Sequence, residues 1–190
     1  MWLRLAAFIV LVAGLAACQD PGPDTYLYTY GRTTSPKPAQ FVHCYGFTCR
    51  ITVDTSVTAA EMQRIGALFA QPPRTAREER QRVAQAIALW EQIVGAKTGT
   101  AADVGSETGD RRWNDEFQQD CMDETFNTTS YLMMMNEAGW IRFHSIVYPS
   151  TRGPQNGFVA PHHAATLLEK GSTRRYVVDS WFFDNGQPPV

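Results

Sequence analysis

From Thr58 onward the chain sets apolar stripes at helical spacing between short polar breaks. Thr58-Ala59-Ala60-Glu61 has capping-box spacing, so it opens a helix to about Ala70, which Gln71-Pro72-Pro73 ends. Thr75-Ala76-Arg77-Glu78 repeats that spacing and opens a longer helix. Val83, Ile87, Trp90 and Val94 mark its buried face, with nothing polar on the stripe. Gly95 to Gln119 reads as a long polar loop, of a length that tends to serve function in a compact domain. It is Gly-rich but lacks the spacing and the following Lys-Ser/Thr of a phosphate-binding loop. Asp120 caps a third helix, with Asp123 and Glu124 in its acidic first turn. Cys121, Thr125, Thr128, Leu132 and Met135 share one stripe of it, and Gly139 stops it. The period then changes from helix to strand. Trp140–Tyr148 alternates, Pro149–Pro161 is a Gly/Pro/Asn loop suited to one wall of a cleft, and His162–Glu169 and Arg174–Phe183 form a hairpin about Lys170–Thr173. Helices first and antiparallel strands after predict an α+β domain, its Cys-bearing helix packed on a C-terminal antiparallel sheet.

Upstream, His43 to Arg50 (HCYGFTCR) reads as a hairpin turn between strands, the second being Cys49–Val53. Residues 19–40 are rich in Pro, Gly and Thr, with aromatics but no period, and predict a tether with one short strand at Tyr26–Tyr30. Met1 to Ala17 has Arg4 and then an apolar run too short to span a bilayer, as in a cleaved export signal. Leu15-Ala16-Ala17-Cys18 resembles the bacterial lipobox. That resemblance implies cleavage before Cys18 and lipid on its thiol. With Gln19 next, it also implies sorting to the periplasmic face of the outer membrane: anchored to a membrane, not spanning it. An ordinary signal peptide with an incidental cysteine is the alternative. The organisation expected is a signal peptide over 1–17, a lipid-anchored tether over 18–40 and a single domain over 41–190. Cleavage removes only Arg4 from 17 basic side chains set against 19 acidic ones, a near balance that gives nucleic acid no purchase as a partner.

The chain has four cysteines. With Cys18 assigned to lipid, Cys44 and Cys49 bracket so short a turn that an oxidising compartment would join them as a disulfide. With His43 they offer zinc only three ligands, the second choice. Cys121 is left over, and an unpaired thiol in an exported chain is reactive, paired between molecules, or buried and inert. Its place at a helix start sets backbone N–H groups and the positive end of the helix dipole beside it, which favour thiolate, while the neighbouring acids oppose this.

Downstream lie His162, His163 and Asp179, and a helix-start cysteine followed by histidine and aspartate on adjacent strands is the order of a Cys-His-Asp triad. Asp120-Cys121-Met122-Asp123, Pro161-His162-His163-Ala164 and Tyr176-Val177-Val178-Asp179 together resemble the transglutaminase-like, papain-type cysteine enzymes, including the bacterial transglutaminase-like cysteine proteinases. The likeness covers roughly residues 110–186 and extends to uncharacterised proteobacterial lipoproteins. It implies a transglutaminase/papain-like core, Cys121 as nucleophile, a histidine as base and Asp179 as its orienter. Gln119 stands where those enzymes often have glycine, and Ala165 where transglutaminases have an aromatic after His-Ala. If Glu169 faces water, strand parity turns His162 inward, whereas the match to His-Ala favours His163; both stay open. The Cys121 N–H and the side chain of Gln118 or Gln119 are candidate oxyanion donors. Trp181 is a candidate cleft wall.

The activity expected is thiol-dependent hydrolysis or acyl transfer at amide bonds of peptides, proteins or peptidoglycan stem peptides, with no cofactor. Two other readings stand beside it. One is a metal site built from Cys121, a histidine and Asp179, which lacks the close-spaced ligand pairs of zinc sites. The other is a non-catalytic binding module of the cell envelope.

Overall fold

A computed structural model describes residues 21–106, 114–153 and 161–189. The signal peptide, Cys18 and most of the loop expected to wall a cleft lie outside them. Among the described residues the fold is mixed α+β, with four α-helices and two small antiparallel sheets.

Helix α1, Pro23–Gly31, stands where the sequence predicts a tether with a strand. Pro23 sits in its first turn with Asp24, both good helix starters. The helix docks because Tyr26 and Leu27 are fully buried, packed with Phe126 and the cysteines at 44 and 49 in a small second core. Gly31 permits the approach, since a Cβ there would lie 2.3 Å from the Phe126 ring.

Strands β1 (Phe41–Tyr45) and β2 (Ile51–Thr55) form the expected hairpin, paired from Phe41↔Thr55 to Tyr45↔Ile51. Helices α2 (Ala59–Ala67) and α3 (Ala76–Thr98) start at Thr58 and Thr75, whose side chains accept from the N–H groups of Glu61 and Glu78. Helix α3 runs through Gly95 and stops at Gly99, at φ 90°, so the polar loop begins later than its composition indicates. Its buried face carries Val83, Ile87, Trp90 and Val94 as expected, but also Glu79 and Glu91. Glu79 is tolerated there because it accepts from the Arg142 and Phe143 amides at 2.6 and 3.0 Å and from His144 Nδ1 at 2.7 Å.

Helix α4, Cys121–Glu137, is buried almost all round from Asp123 to Met135 and is the element the others surround. One side meets α3 and the main core, where Trp90 stacks on Tyr131 at 5.0 Å and both pack with Leu132, Met135, Leu167 and Val178. The C-terminal sheet has the order β3-β4-β5, with β3 His144–Arg152, β4 His162–Glu169 and β5 Arg175–Val178. The central strand, β4, buries Ala164, Ala165, Thr166 and Leu167 in succession, which means that both its faces are covered.

Candidate active site

The Asp-Cys-x-Asp segment is fastened before its chemistry begins. Asp120 Oδ1 accepts from the Met122 and Asp123 amides at 2.9 and 3.0 Å, and Asp123 Oδ2 accepts from the Asp120 amide at 3.1 Å, a reciprocal capping box. Both carboxylates also reach across to the hairpin turn, Asp123 through both its oxygens and Asp120 through Oδ2. Gly46, Phe47, Thr48 and Cys49 all have positive φ, from 79° to 52°, so successive N–H groups line one concave side. Gly46 donates to the Gln118 carbonyl at 2.9 Å, Phe47 and Cys49 to Asp123 at 2.8 and 2.6 Å, and Thr48 to Asp120 at 2.9 Å. The Cys44–Cys49 disulfide closes this turn. The Asn127 side chain pairs with both the N–H and C=O of Cys44, at 2.9 and 2.8 Å, as a neighbouring strand would. Burial, with the Asp120 charge second, pushes the Asp123 carboxyl up to about 8 against the three amides that favour its charged form.

Cys121 is the free cysteine of the described residues and is partly exposed. His162 Nε2 lies 2.6 Å from Asp179 Oδ2, just past the end of β5, and Cys121 is a second group that favours the charged ring. With Nε2 turned to the carboxylate, Nδ1 is the nitrogen left for sulfur. The Asp179 bond first, then Cys121, raise the His162 pKa from its ordinary range to about 9. Trp181 and Phe182 flank the imidazole at centroid distances of 5.0 and 5.4 Å, Trp181 buried and Phe182 open to solvent.

His163 points elsewhere, its Nδ1 3.3 Å from Thr151 Oγ1 and its ring 6.1 Å from that of Tyr26. Parity thus selects the histidine that bonds Asp179, although its premise fails. Glu169 is not on a water face but pairs with Arg80 at 3.3 Å and with Arg174. The other histidines are structural. His43 is buried between Tyr131 and Thr100, and burial lowers its pKa to about 3; His144 is held by Glu79 and Arg80.

The loop into α4 links nucleophile to acid. Asp103 Oδ1 accepts from the Gln119 amide at 2.7 Å, while the Asp103 carbonyl accepts from Asn185 at 3.1 Å. Ser106 donates to the Trp181 carbonyl at 2.6 Å, and Gly105 to Asp184 at 3.0 Å. The Gln118 side chain is absorbed by this loop: Oε1 accepts from the Val104 amide and Nε2 donates to Asp115 and the Ala102 carbonyl. Gln119 is buried and held through its backbone. Behind Asp179, Ser180 meets Thr128 at 3.2 Å, and Glu91 accepts from the Gly186 amide at 2.9 Å. Burial pushes Glu91 up to about 7 and Asp103 to about 8, and holds Glu124 well above the carboxylate range.

Among the described residues the ligand atoms of Cys121, His162 and Asp179 do not converge within 4.8 Å, as those of Cys44, Cys49 and Asp123 do. They are strung sulfur–imidazole–carboxylate, an order suited to passing a proton. In the second group the two sulfurs are bonded to each other. Sequence reasoning missed the buried acids and Tyr26, whose phenol burial chiefly holds above its usual range. For Tyr26 the available signal was three tyrosines in five positions of a segment otherwise polar.

No family model, curated protein or solved structure matches the chain, so the likeness to transglutaminase-like enzymes rests on these residues themselves. No helix of the described residues is long and apolar enough to cross a membrane.

Proposed function

We propose that the chain is a cysteine hydrolase or acyl transferase acting on amide bonds, with a transglutaminase/papain-like core, held in the cell envelope by lipid on Cys18. The observation that carries this is the His162–Asp179 pair at 2.6 Å, and the influence of Cys121 on the same imidazole supports it. A helix bearing cysteine at its first turn, set against antiparallel strands that end on histidine and aspartate, supports the core assignment.

The chemistry follows from the order of the groups. Asp179 accepts from Nε2–H, which fixes the tautomer and leaves Nδ1 basic. Nδ1 takes the thiol proton, Sγ bonds the amide carbon, and the carbonyl π electrons move to oxygen. When the tetrahedral adduct collapses, the C–N bond breaks and the imidazolium protonates the departing amine. A thioester remains. Water resolves it by hydrolysis, or a second amine by transfer. The Cys121 N–H at the helix start is one donor for the developing oxyanion, and Gln119 is the better placed of the two glutamines because Gln118 is tied into the loop. Peptides, proteins or peptidoglycan stem peptides are the substrates that an envelope location supplies.

Iodoacetamide alkylation tests the pair. On the full-length chain in mild detergent, modification of the Cys121 peptide is followed by mass spectrometry from pH 4 to 10. The expected outcome is reaction persisting well below the ordinary thiol pKa of about 8.5, lost in His162→Ala and kept in His163→Ala. A thiol that reacts only in alkali, whichever histidine is changed, sinks the triad and leaves a binding module.

A further inference from the structure

Phe182 is a large apolar side chain left 47% exposed, although the Trp181 ring beside it is buried. Its ring centroid lies 5.4 Å from that of the His162 imidazole and 5.1 Å from that of Trp181, which it meets edge-on. Single exposed apolar side chains are common and call for no explanation of themselves. This one differs in touching the ring that moves the proton, and in how its backbone is held. The Phe183 amide donates to the Ser180 carbonyl at 3.1 Å, which closes a tight turn about Trp181 and Phe182, and the Ser106 amide donates to the Trp181 carbonyl at 2.6 Å. The Gly105 amide donates to Asp184 at 3.0 Å, and the two backbones lie so close that a Cβ on Gly105 would stand 2.6 Å from Phe183 N and 2.7 Å from the Phe182 carbonyl carbon. Behind the turn, Ser180 meets Thr128 of α4 at 3.2 Å. The segment that supplies Asp179 thus presents Phe182 from a clamped backbone, and a ligand that packs on the ring has little chain entropy to overcome.

Resting on the activity proposed above, we infer that Phe182 is a specificity-determining residue: its exposed ring is the apolar contact for the amine side of the amide and selects an aromatic side chain there. The position follows from the path of the proton. The imidazolium protonates the departing amine, so that nitrogen comes within hydrogen-bond reach of His162, and the side chain it carries falls against what flanks the imidazole. With Trp181 buried, the ring on offer is Phe182. In transfer the acceptor amine takes the same place in reverse. Its nitrogen bonds the acyl carbon, the C–S bond breaks, and its proton passes through His162 to the sulfur. An aromatic contact there favours peptide and protein substrates over stem peptides, whose side chains are small or charged.

Transfer from a preloaded thioester reads this contact directly. Cys121 of the full-length chain in mild detergent is acetylated with p-nitrophenyl acetate, and loss of acetyl from the Cys121 peptide is followed by mass spectrometry with phenethylamine or ethylamine at equal free-base concentration. Each rate is divided by that of the same amine on a free acetyl thioester. Only the ratio of the two is read, so a change common to both amines cancels. The native ratio is expected to favour phenethylamine by roughly three- to tenfold, the range an aromatic pair supplies. Phe182→Ala should bring it close to one, and Phe182→Tyr, which keeps the ring, should preserve it. A native ratio near one overturns the assignment, as does a preference that survives in Phe182→Ala or is lost in Phe182→Tyr. Acetyl removed by water alone, with no help from either amine, overturns it too. A Cys121 that takes no acetyl group, or alkylates with indifference to His162, is the separate result that fails the proposed activity and this inference with it.

Discussion

Changing Asp179 to Asn should lower the pKa of His162, by an amount the structure bounds. The native ring is raised to about 9, first by the Asp179 hydrogen bond and then by Cys121, against an ordinary value near 6.5. At about 1.4 kcal/mol per pH unit the whole rise corresponds to roughly 3 kcal/mol. Part of that belongs to Cys121, and the imidazole is 23% exposed, where solvent screens a charge partner. About 2 kcal/mol is then the share of the carboxylate, and the titration midpoint should fall by roughly 1.5 pH units. The assay is the NMR titration of the His162 Hε1 proton, assigned by its loss in His162→Ala. Stability must follow with a definite sign. A histidine whose pKa is raised on folding stabilises fully below about 6.5 and loses that contribution as pH rises through about 9. The native chain should therefore exceed Asp179→Asn in unfolding free energy by most near pH 6, with the gap closing by pH 10. A midpoint that does not move, or a gap that widens with pH, would refute the coupling of this pair.

Replacing Cys44 and Cys49 with serine opens a loop with a sequence separation of 5, for which loop-closure entropy gives about 2 kcal/mol. For a chain of this size, the expected fall in melting temperature is roughly 4–8 °C by calorimetry, and an unchanged melt would show that the carboxylates alone hold the turn. Gly31→Ala drives a Cβ to 2.3 Å from the Phe126 ring. Overpacking of this kind costs about 1–3 kcal/mol, and the loss should appear as faster proteolytic cleavage within residues 21–40.

What the chain discloses about itself depends on how local the cause is. Caps are local. Thr58, Thr75 and Asp120 sit with their acidic partners three residues on, and all three helices start where that spacing puts them. Strand β4 is equally plain, spanning His162 to Glu169 as the hairpin turn that follows it indicates. Helix α1 is hidden because it is short and buries two adjacent residues, Tyr26 and Leu27, which leaves no 3.6-residue repeat to find; what holds it is Phe126, far along the chain. The stripe on α3 looks wholly apolar only if Glu79 and Glu91 are assumed to face water. The amides of Arg142 and Phe143 that bond Glu79, and that of Gly186 that bonds Glu91, come from remote segments. The same holds at the site. Residue type and order pick out Cys121, Asp179 and the pair His162 and His163, whereas which histidine meets Asp179, and the tie of the Gln118 side chain into the loop, depend on tertiary neighbours.

The turn that faces Asp120 and Asp123 shows what the fold gives up to hold its nucleophile. Phe47, Thr48 and Cys49 lie in the left-handed region, which costs an L-residue about 1–2 kcal/mol each, so roughly 3–6 kcal/mol together. The disulfide returns about 2 kcal/mol, and each amide bonded to an acidic side chain about 1.5 kcal/mol or more, which brings the sum near zero. A conformation so disfavoured locally persists only where its partners hold it. Those partners are the two acids that bracket Cys121 and cap its helix. Relaxing the turn would free both carboxylates, loosen the first turn of α4 and let the sulfur drift from His162. The hairpin therefore acts as the rear support of the nucleophile, and the disulfide helps to hold it there.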